Sequence, residues 1–252
     1  MTVEFTRAEV CAVACAEAWR GDGEILASPF GIIPSVGARL ARATFEPDLL
    51  LSDGEALLVS NAIPVGAVAS RDKVVEGWLP FRAVFDLAWA GRRHAMMGAA
   101  QLDRFGNQNL SCIGPHERPT VQLIGARGAP GNTVNHAVSY WIPNHSPRVF
   151  VERVDFVSGV GNRRGPGSPP TAGQIRGVVT NLCVMDFEPA TSALRVRSLH
   201  PGVALEDVQR NTGFELVPSD AIAETRTPTE EELRLIREVF DPDGLRDSEA
   251  PP

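Results

Sequence analysis

Apolar and polar positions change period several times along this chain, and each change marks an element. Thr6, followed three residues later by Glu9, forms a capping-box pattern ahead of the apolar run Val10 to Trp19, which predicts a helix. Glu24–Ser28 reads as a short buried strand ended by Pro29, and Ser35–Thr44 reads as a helix. Two apolar runs, Leu49–Leu51 and Ala56–Val59, flank the polar turn Ser52-Asp53-Gly54-Glu55. Pro80–Ala90 carries Phe81, Val84, Phe85, Leu87 and Ala88 at helical spacing, and a strand over His94–Gly98 follows Arg92-Arg93.

Further along, Val121–Gly125 predicts a strand, Asn132–Trp141 a helix and Val149–Val157 another strand. Arg163–Gly173 is a Gly/Pro-rich loop, Gly177–Phe187 a long strand, and Ala193–Ser198 its neighbour. Glu206–Asn211 and Thr229–Val239 predict short helices, and the polar, Pro-rich stretch after Asp241 is expected to fray. Buried strands alternating with helices predict an α/β fold. Its sheet is open and largely parallel, with helices on both faces and an antiparallel addition late in the chain. A single domain over residues 1–244 with a polar tail at 245–252 is the expected organisation.

Composition narrows the function classes. With 252 residues, 43% hydrophobic and 22% charged, the chain is long enough for a sizeable core. No apolar run approaches the length of a membrane span, and Met1–Glu9 lacks the basic-then-apolar pattern of a secretory signal, so a cytoplasmic protein is expected. A net charge of −7 argues against non-specific nucleic-acid binding. Cys11 and Cys15 share a helix face, and with Cys112 and Cys183 they read as buried reduced thiols, because no second Cys/His pair stands at zinc spacing. No metal site is expected. Lys73 is the only lysine, so it alone is available as a lysine nucleophile. The five histidines form no HExxH pattern, and no Gly-x-Ser-x-Gly elbow is present.

Candidate chemistry gathers in three loops, since open α/β sheets bind ligands beyond the carboxyl ends of their strands. In Met97–Asn109, the small residues Gly98 and Ala99 allow close approach to backbone, and Gln101, Asn107 and Asn109 offer side-chain amides. The same residues also fit a Gly-Asn hairpin turn. In Gly125–Asn132, a glycine-rich strand-to-helix turn containing Gly128, Gly131 and Asn132 presents N–H groups to an anion or oxyanion, without a Walker A or GxGxxG pattern. Ser52–Glu55 brings carboxylates to a turn that reads equally well as solvated and structural.

Taken in order, these features resemble the β-type subunit of class I coenzyme A-transferases over roughly residues 8 to 244. The resemblance rests on Gly98–Asn109, the Gly128–Asn132 turn, and the stretch His145–Gly161. It rests also on Val179-Thr180-Asn181-Leu182, Leu199-His200-Pro201-Gly202-Val203 and Asn211-Thr212-Gly213-Phe214. Thr227-Pro228-Thr229 running on to Asp241-Pro242 completes the order. The resemblance implies a CoA-transferase-like fold. It also implies a glutamate nucleophile that takes CoA as a thioester, in a Glu-Ser-Gly or Glu-Asn-Gly setting. Aligning Pro47-Asp48-Leu49 without gaps puts Gly54 at that position, with Glu55 one residue late. Asn107 is implied to hold the acyl group or the attacking carboxylate, and the turn containing Gly131 to donate an N–H to the oxyanion.

A CoA-transferase scaffold without its glutamate is similar to one branch of the family, the heteromeric ring-opening hydrolases of bacterial steroid degradation. The similarity implies hydrolytic opening of a carbon ring in a cyclic keto-acyl-CoA, with the catalytic glutamate on an α-type partner in an α2β2 assembly. CoA then enters only as part of the substrate, with no resident cofactor. The alternatives are an acyl-CoA:carboxylate transferase using Glu55, a non-catalytic structural subunit, and, with less support from the motifs, a sugar-phosphate isomerase of related architecture. Arg163-Arg164 and Arg92-Arg93 are candidate contacts for the CoA phosphates.

Overall fold

The computed structural model describes residues 4–61, 63–67, 73–219 and 221–250. The chain expected to form one domain divides into two compact units, Met1–Met97 with Arg226–Pro252, and Gly98–Thr225.

The first unit begins with α1 (Arg7–Glu17), where both halves of the capping box form: Thr6 Oγ1 accepts from Glu9 N, and Glu9 Oε2 from Thr6 N. Every residue from Ala8 to Ala16 is buried, so the helix is a core element rather than an amphipathic cover. After β1 (Leu26–Pro29), α2 (Ile32–Thr44) packs against α1. Gly37 allows that contact, since a Cβ there would lie 2.9 Å from Ala12 O, Ala16 N and Cys15 Cβ. Next come β2 (Leu50–Leu51), β3 (Leu57–Val59), β4 (Val75–Trp78), α3 (Phe81–Trp89) and β5 (Arg93–Met97). Strand β1 pairs in parallel with β2 and β5, while β3 and β4 form an antiparallel ribbon.

The second unit carries β6 (Gln101–Leu102), β7 (Gln108–Asn109), β8 (Cys112–Ile113), β9 (Val121–Gln122) and α4 (Ala129–Asn135). They are followed by β10 (Ala137–Ile142), β11 (Ile175–Thr180), β12 (Cys183–Phe187), β13 (Leu194–Leu199), α5 (Leu205–Arg210) and β14 (Ala223–Glu224). Strands β10 and β11 run parallel, β11–β12 and β12–β13 antiparallel, and β13–β14 parallel. The α/β class, the parallel pairs β1–β2, β1–β5, β10–β11 and β13–β14, and the late antiparallel addition all agree with the sequence reading.

Four element assignments are corrected. The helix expected over Asn132–Trp141 ends at Asn135, and Ala137–Ile142 is a strand buried at all six positions. The strand expected over Val121–Gly125 shrinks to the two residues of β9. Val149–Val157 is irregular, touching the sheet pattern only through a bridge between Leu102 and Phe150. The long strand Gly177–Phe187 is a hairpin that turns at Asn181-Leu182, where Thr180 Oγ1 accepts from Leu182 N and Cys183 N.

The chain then returns to the first unit through α6 (Glu230–Arg234), capped by Thr229 and Glu232, and continues as a π-helical stretch, Leu235–Phe240. Over its described residues, to Ala250, the segment expected to fray is packed instead. Asp241, Arg246 and Ala250 are buried, and the Glu249 carboxylate accepts from Ile32 N at 2.7 Å and Ile33 N at 3.0 Å. It thereby caps α2, whose own N-cap residue, Gly31, has no side chain to do so. Glu9 is held by Arg237 at 2.7 Å and by Arg246 at 3.3 Å. Burial works to raise its pKa, but these guanidinium groups and the Thr6 N–H bring the carboxyl below its ordinary value. All four cysteines are buried and unbridged, and burial raises the Cys183 thiol to about 12.

Candidate active site

The turn between β2 and β3 is organised by Asp53 rather than Glu55. Asp53 Oδ1 accepts from Glu55 N, Ala56 N and Leu57 N at 2.9 to 3.1 Å, and Oδ2 accepts from Lys73 Nζ at 2.8 Å. Burial alone would raise this carboxyl. The lysine and the N–H groups outweigh it and hold the group at about 2. Gly54 has φ +82° with open space around it, so the turn is a tight Asx turn tied to the chain's only lysine. Glu55 leans outward, its side chain 70% exposed and 3.6 Å from Lys73 Nζ. The sequence reading singled out Glu55 and missed Asp53. An Asp two residues before an N–H it can accept was the available signal.

In the second unit, the loop from Gly98 to Asn109 is built around buried amides. Asp103 Oδ1 accepts from Phe105 N and Asn107 N, and its Oδ2 accepts from Asn107 Nδ2 at 2.8 Å. Burial nonetheless leaves the Asp103 carboxyl above its ordinary value. Asn107 Nδ2 also donates to Arg163 O at 2.9 Å, and Oδ1 accepts from Gly161 N at 2.9 Å. Both amide hydrogens of Asn107 are thus used within the chain, and the residue is almost wholly buried. It clamps residues 103–107 to the segment at 161–163.

The other predicted loop residues divide in the same way. Gln101 Oε1 accepts from Asn109 Nδ2 and Asp155 N, and its Nε2 donates to Asp155 Oδ2, so Gln101 also serves the loop. Gly98 and Ala99 are the accessible members, with the Gly98 carbonyl held by Gln108 Nε2 at 2.6 Å.

The glycine-rich turn leads into α4 as expected. Gly128 precedes the helix, and Asn132 N reaches back to Gly128 O at 2.9 Å. Gly131 is the third helical residue and is exposed, with Pro130 contributing no N–H beside it. Its N–H belongs to the first turn, where no carbonyl four residues back lies within the helix. A Cβ on Gly131 would come no nearer than 3.8 Å to Asn135 Nδ2, so packing within the chain does not require glycine. Asn132 Oδ1 lies 3.1 Å from His136 Nε2.

Of the arginines, Arg163 donates to Ser168 O in its own loop and, at 3.3 Å, to Ala190 O between β12 and β13, so its guanidinium is engaged within the chain. Arg164 is exposed. Arg92 donates to Glu24 O and Arg93 to Ser28 Oγ.

Two of the five histidines, His145 and His200, are framework residues. His145 stacks on Phe150 with centroids 4.0 Å apart, and its ring nitrogens lie 3.1 Å from Thr180 Oγ1 and 3.0 Å from Thr212 Oγ1. Burial lowers its pKa to about 3, so the ring is neutral. His200 meets Thr180 O and Thr225 Oγ1, and His145 N donates to Asn181 Oδ1. Four of the C-terminal motifs that carried the resemblance therefore converge on one buried polar network.

The coenzyme A transferase family model matches residues 22–211. The chain belongs to the coenzyme A transferase family. Among its relatives, it is 54% identical over 248 residues to the cholesterol ring-cleaving hydrolase IpdB subunit of Rhodococcus jostii (strain RHA1), covering 98% of this chain and 96% of that one. The crystal structure of Rhodococcus jostii RHA1 IpdAB matches with a TM-score of 0.90, covering 98% of this chain and 99% of that one, again at 54% identity. Glutaconate coenzyme A-transferase from Acidaminococcus fermentans matches with a TM-score of 0.81 at 25% identity, covering 95% and 96% of the two chains. The position where the resemblance expects a nucleophilic glutamate is occupied by Gly54, which has no side chain to react.

Proposed function

We propose that this chain is the β-type subunit of a cytoplasmic two-component enzyme that hydrolytically opens a carbon ring of a cyclic keto-acyl-CoA in steroid catabolism. An α-type subunit supplies the catalytic glutamate and completes an α2β2 assembly. The observation that carries the reading is the 54% identity to an IpdB subunit over nearly the whole chain, and it is supported by Gly54 standing where the family resemblance expects the glutamate. The state of Glu55 supports it. An exposed carboxylate beside Lys73, outside the Asp53-centred turn, is poorly placed to replace a nucleophile one residue away.

The chemistry follows from the reading. A base removes a proton from water, and the resulting hydroxide adds to a ring ketone to give a tetrahedral alkoxide. Collapse of that alkoxide breaks the adjacent carbon–carbon bond. One fragment becomes a carboxylate, and the electron pair leaves as an enolate that is protonated, so the product exceeds the substrate by one water. The Gly131 N–H, in the turn of Gly128 and Asn132, is a donor for the developing oxyanion, a contribution of roughly 3 to 4 kcal/mol in other enzymes. Gly98 and Ala99 offer backbone to the acyl-CoA, and exposed Arg164 offers a cation to its phosphates. Asn107 and Gln101 serve by fixing the loop.

The test is to co-express the chain with its α-type neighbour and supply a cyclic keto-acyl-CoA in H2(18)O. The reading expects a product gaining one labelled water, no acceptor acid required, and turnover of Glu55→Gln within about threefold of wild type. Dependence on an acceptor acid, with a glutamyl-CoA thioester on Glu55 that hydroxylamine or borohydride intercepts as a modified Glu55 with release of CoA, would make the enzyme a transferase instead.

A further inference from the structure

Helix α3 carries its aromatic residues on the wrong side for a core. Phe81, Phe85 and Trp89 stand four residues apart on one face and are 76%, 45% and 69% exposed, while Ala88 is the residue of this helix that is buried. The rings are already ordered against one another. Phe81 meets Phe85 edge-on with centroids 5.1 Å apart, and Phe85 meets Trp89 at 6.3 Å. Trp78 on β4 is 75% exposed, and Val74 and Val75 are more than half exposed. One continuous stretch, residues 74–89, thus turns four aromatic rings and two valines to water.

Size and charge say what such a face is for. Four aromatic side chains at these exposures leave on the order of 500 Å² of apolar surface, taking roughly 150 to 250 Å² for each ring when fully accessible. That is near the upper end of what soluble monomers expose, and more than half of the roughly 800 Å² that each partner contributes to a stable protein interface. Its charges balance: Arg82 and Asp86 share the helix, and Glu76 is paired with Arg42 at 2.5 Å. A surface for an anionic lipid or a nucleic acid needs an excess of cations, which this stretch lacks. Aromatic rings within a neutral rim are the composition of a protein–protein contact.

We infer that the face formed by Trp78, Phe81, Phe85 and Trp89 is the seat of the α-type subunit. The inference rests on the proposed function, and connectivity within the first unit selects this occupant over a second copy of the chain. Trp78 pairs with Leu57 across the β3–β4 ribbon, and Leu79 N donates to Ala56 O at 2.7 Å. The aromatic face therefore begins directly beside the Ser52–Glu55 turn, where Gly54 has replaced the reactive glutamate. A partner that brings its own glutamate to that turn has to cover the surface adjoining it.

Photo-cross-linking of the co-expressed complex tests this, with Trp89→p-benzoylphenylalanine as the probe and mass spectrometry naming the chain captured. The assignment expects the dominant cross-link to join the α-type subunit. It also expects the double variant Phe81→Ser/Trp89→Ser to raise the Kd of assembly at least tenfold in sedimentation, with an unchanged circular dichroism spectrum. A complex that forms but cross-links to a second copy of this chain, or that assembles normally with both rings removed, overturns the location while leaving the two-component reading intact. Failure of the wild-type chains to associate at all sinks that reading first, and the assignment with it.

Discussion

Around His145 and His200, each ring nitrogen meets a hydroxyl or a carbonyl, and the nearby amide of Asn181 is used as well. At Ser52–Glu55 and along α3, a carboxylate and a row of aromatic rings face water. The first region resembles a finished interior, in which buried polar groups are satisfied because leaving one unpaired costs about 1 to 3 kcal/mol. The second is well formed as backbone, with Asp53 closing its turn, yet incomplete as a surface. The contrast separates two kinds of motif. Segments that identify the family by their order, such as Val179–Leu182 and Asn211–Phe214, do so because they interlock, and reaction chemistry need not pass through them. The Ser52–Glu55 turn, closed by Asp53, is locally simple and makes few demands on the rest of the chain.

Three substitutions or conditions press on this contrast, and the largest effect is expected at Gly161. A Cβ there would lie 2.1 Å from Phe105 O and 2.5 Å from Asn107 N, both backbone atoms that cannot swing away. Gly161→Ala is expected to destabilise by about 4 kcal/mol, read as a lower urea midpoint. A loss below about 1 kcal/mol would mean that the clamp of Asn107 on Gly161 is slack and the interior comparison fails.

The next effect comes from acid. The folded-state pKa of His145 is depressed to about 3, against roughly 6.5 unfolded, so between these values the unfolded chain binds more protons. The contribution of the neutral ring is therefore fully present above about pH 6.5 and is lost as pH falls, reaching about 2 kcal/mol at pH 5. Comparing wild type with His145→Phe from pH 7 to 5 isolates it, because the variant should lose this part of the slope. Parallel curves would show that the ring is not held neutral.

The smallest effect is expected at Glu55. Its pairing with Lys73 is exposed, and Glu55→Ala should change stability by no more than about 0.5 kcal/mol. A larger change in the thermal midpoint would make Glu55, and not Asp53 alone, part of the turn's architecture.

Much of the fold was legible because local chemistry and tertiary structure agreed. The capping box at Thr6 stands where the spacing of Thr and Glu put it, and the short helix expected from Thr229 begins there, with a capping box of its own. The failures share a cause. A strand buried on both faces has no alternation, so Ala137–Ile142 reads like the continuation of the helix before it. Thr180 turns the chain by offering its hydroxyl to two N–H groups, and a β-branched residue within an apolar run gives no sign of that. Glu249 caps a helix that begins 217 residues earlier, a partnership that local pattern does not encode. At the site, residue types were legible and their partners were not. Asn107 was visible as an amide in a glycine turn, but its use by Gly161 and Arg163 depends on a loop more than fifty residues away.

The tie between Glu9 and the arginines at 237 and 246 also sets an order of events during synthesis. These partners are 228 and 237 residues apart, so α1 leaves the ribosome on the order of ten to forty seconds before its carboxylate can be neutralised. Residues 98–225 form a continuous stretch that is complete before either arginine has been made. All residues of the unit with the interlocked histidines are therefore made while the unit with the Ser52–Glu55 turn still lacks its last pieces. Until residues 226–250 have emerged, Glu9 lacks the arginines that neutralise it, and α1 stays open to chaperones.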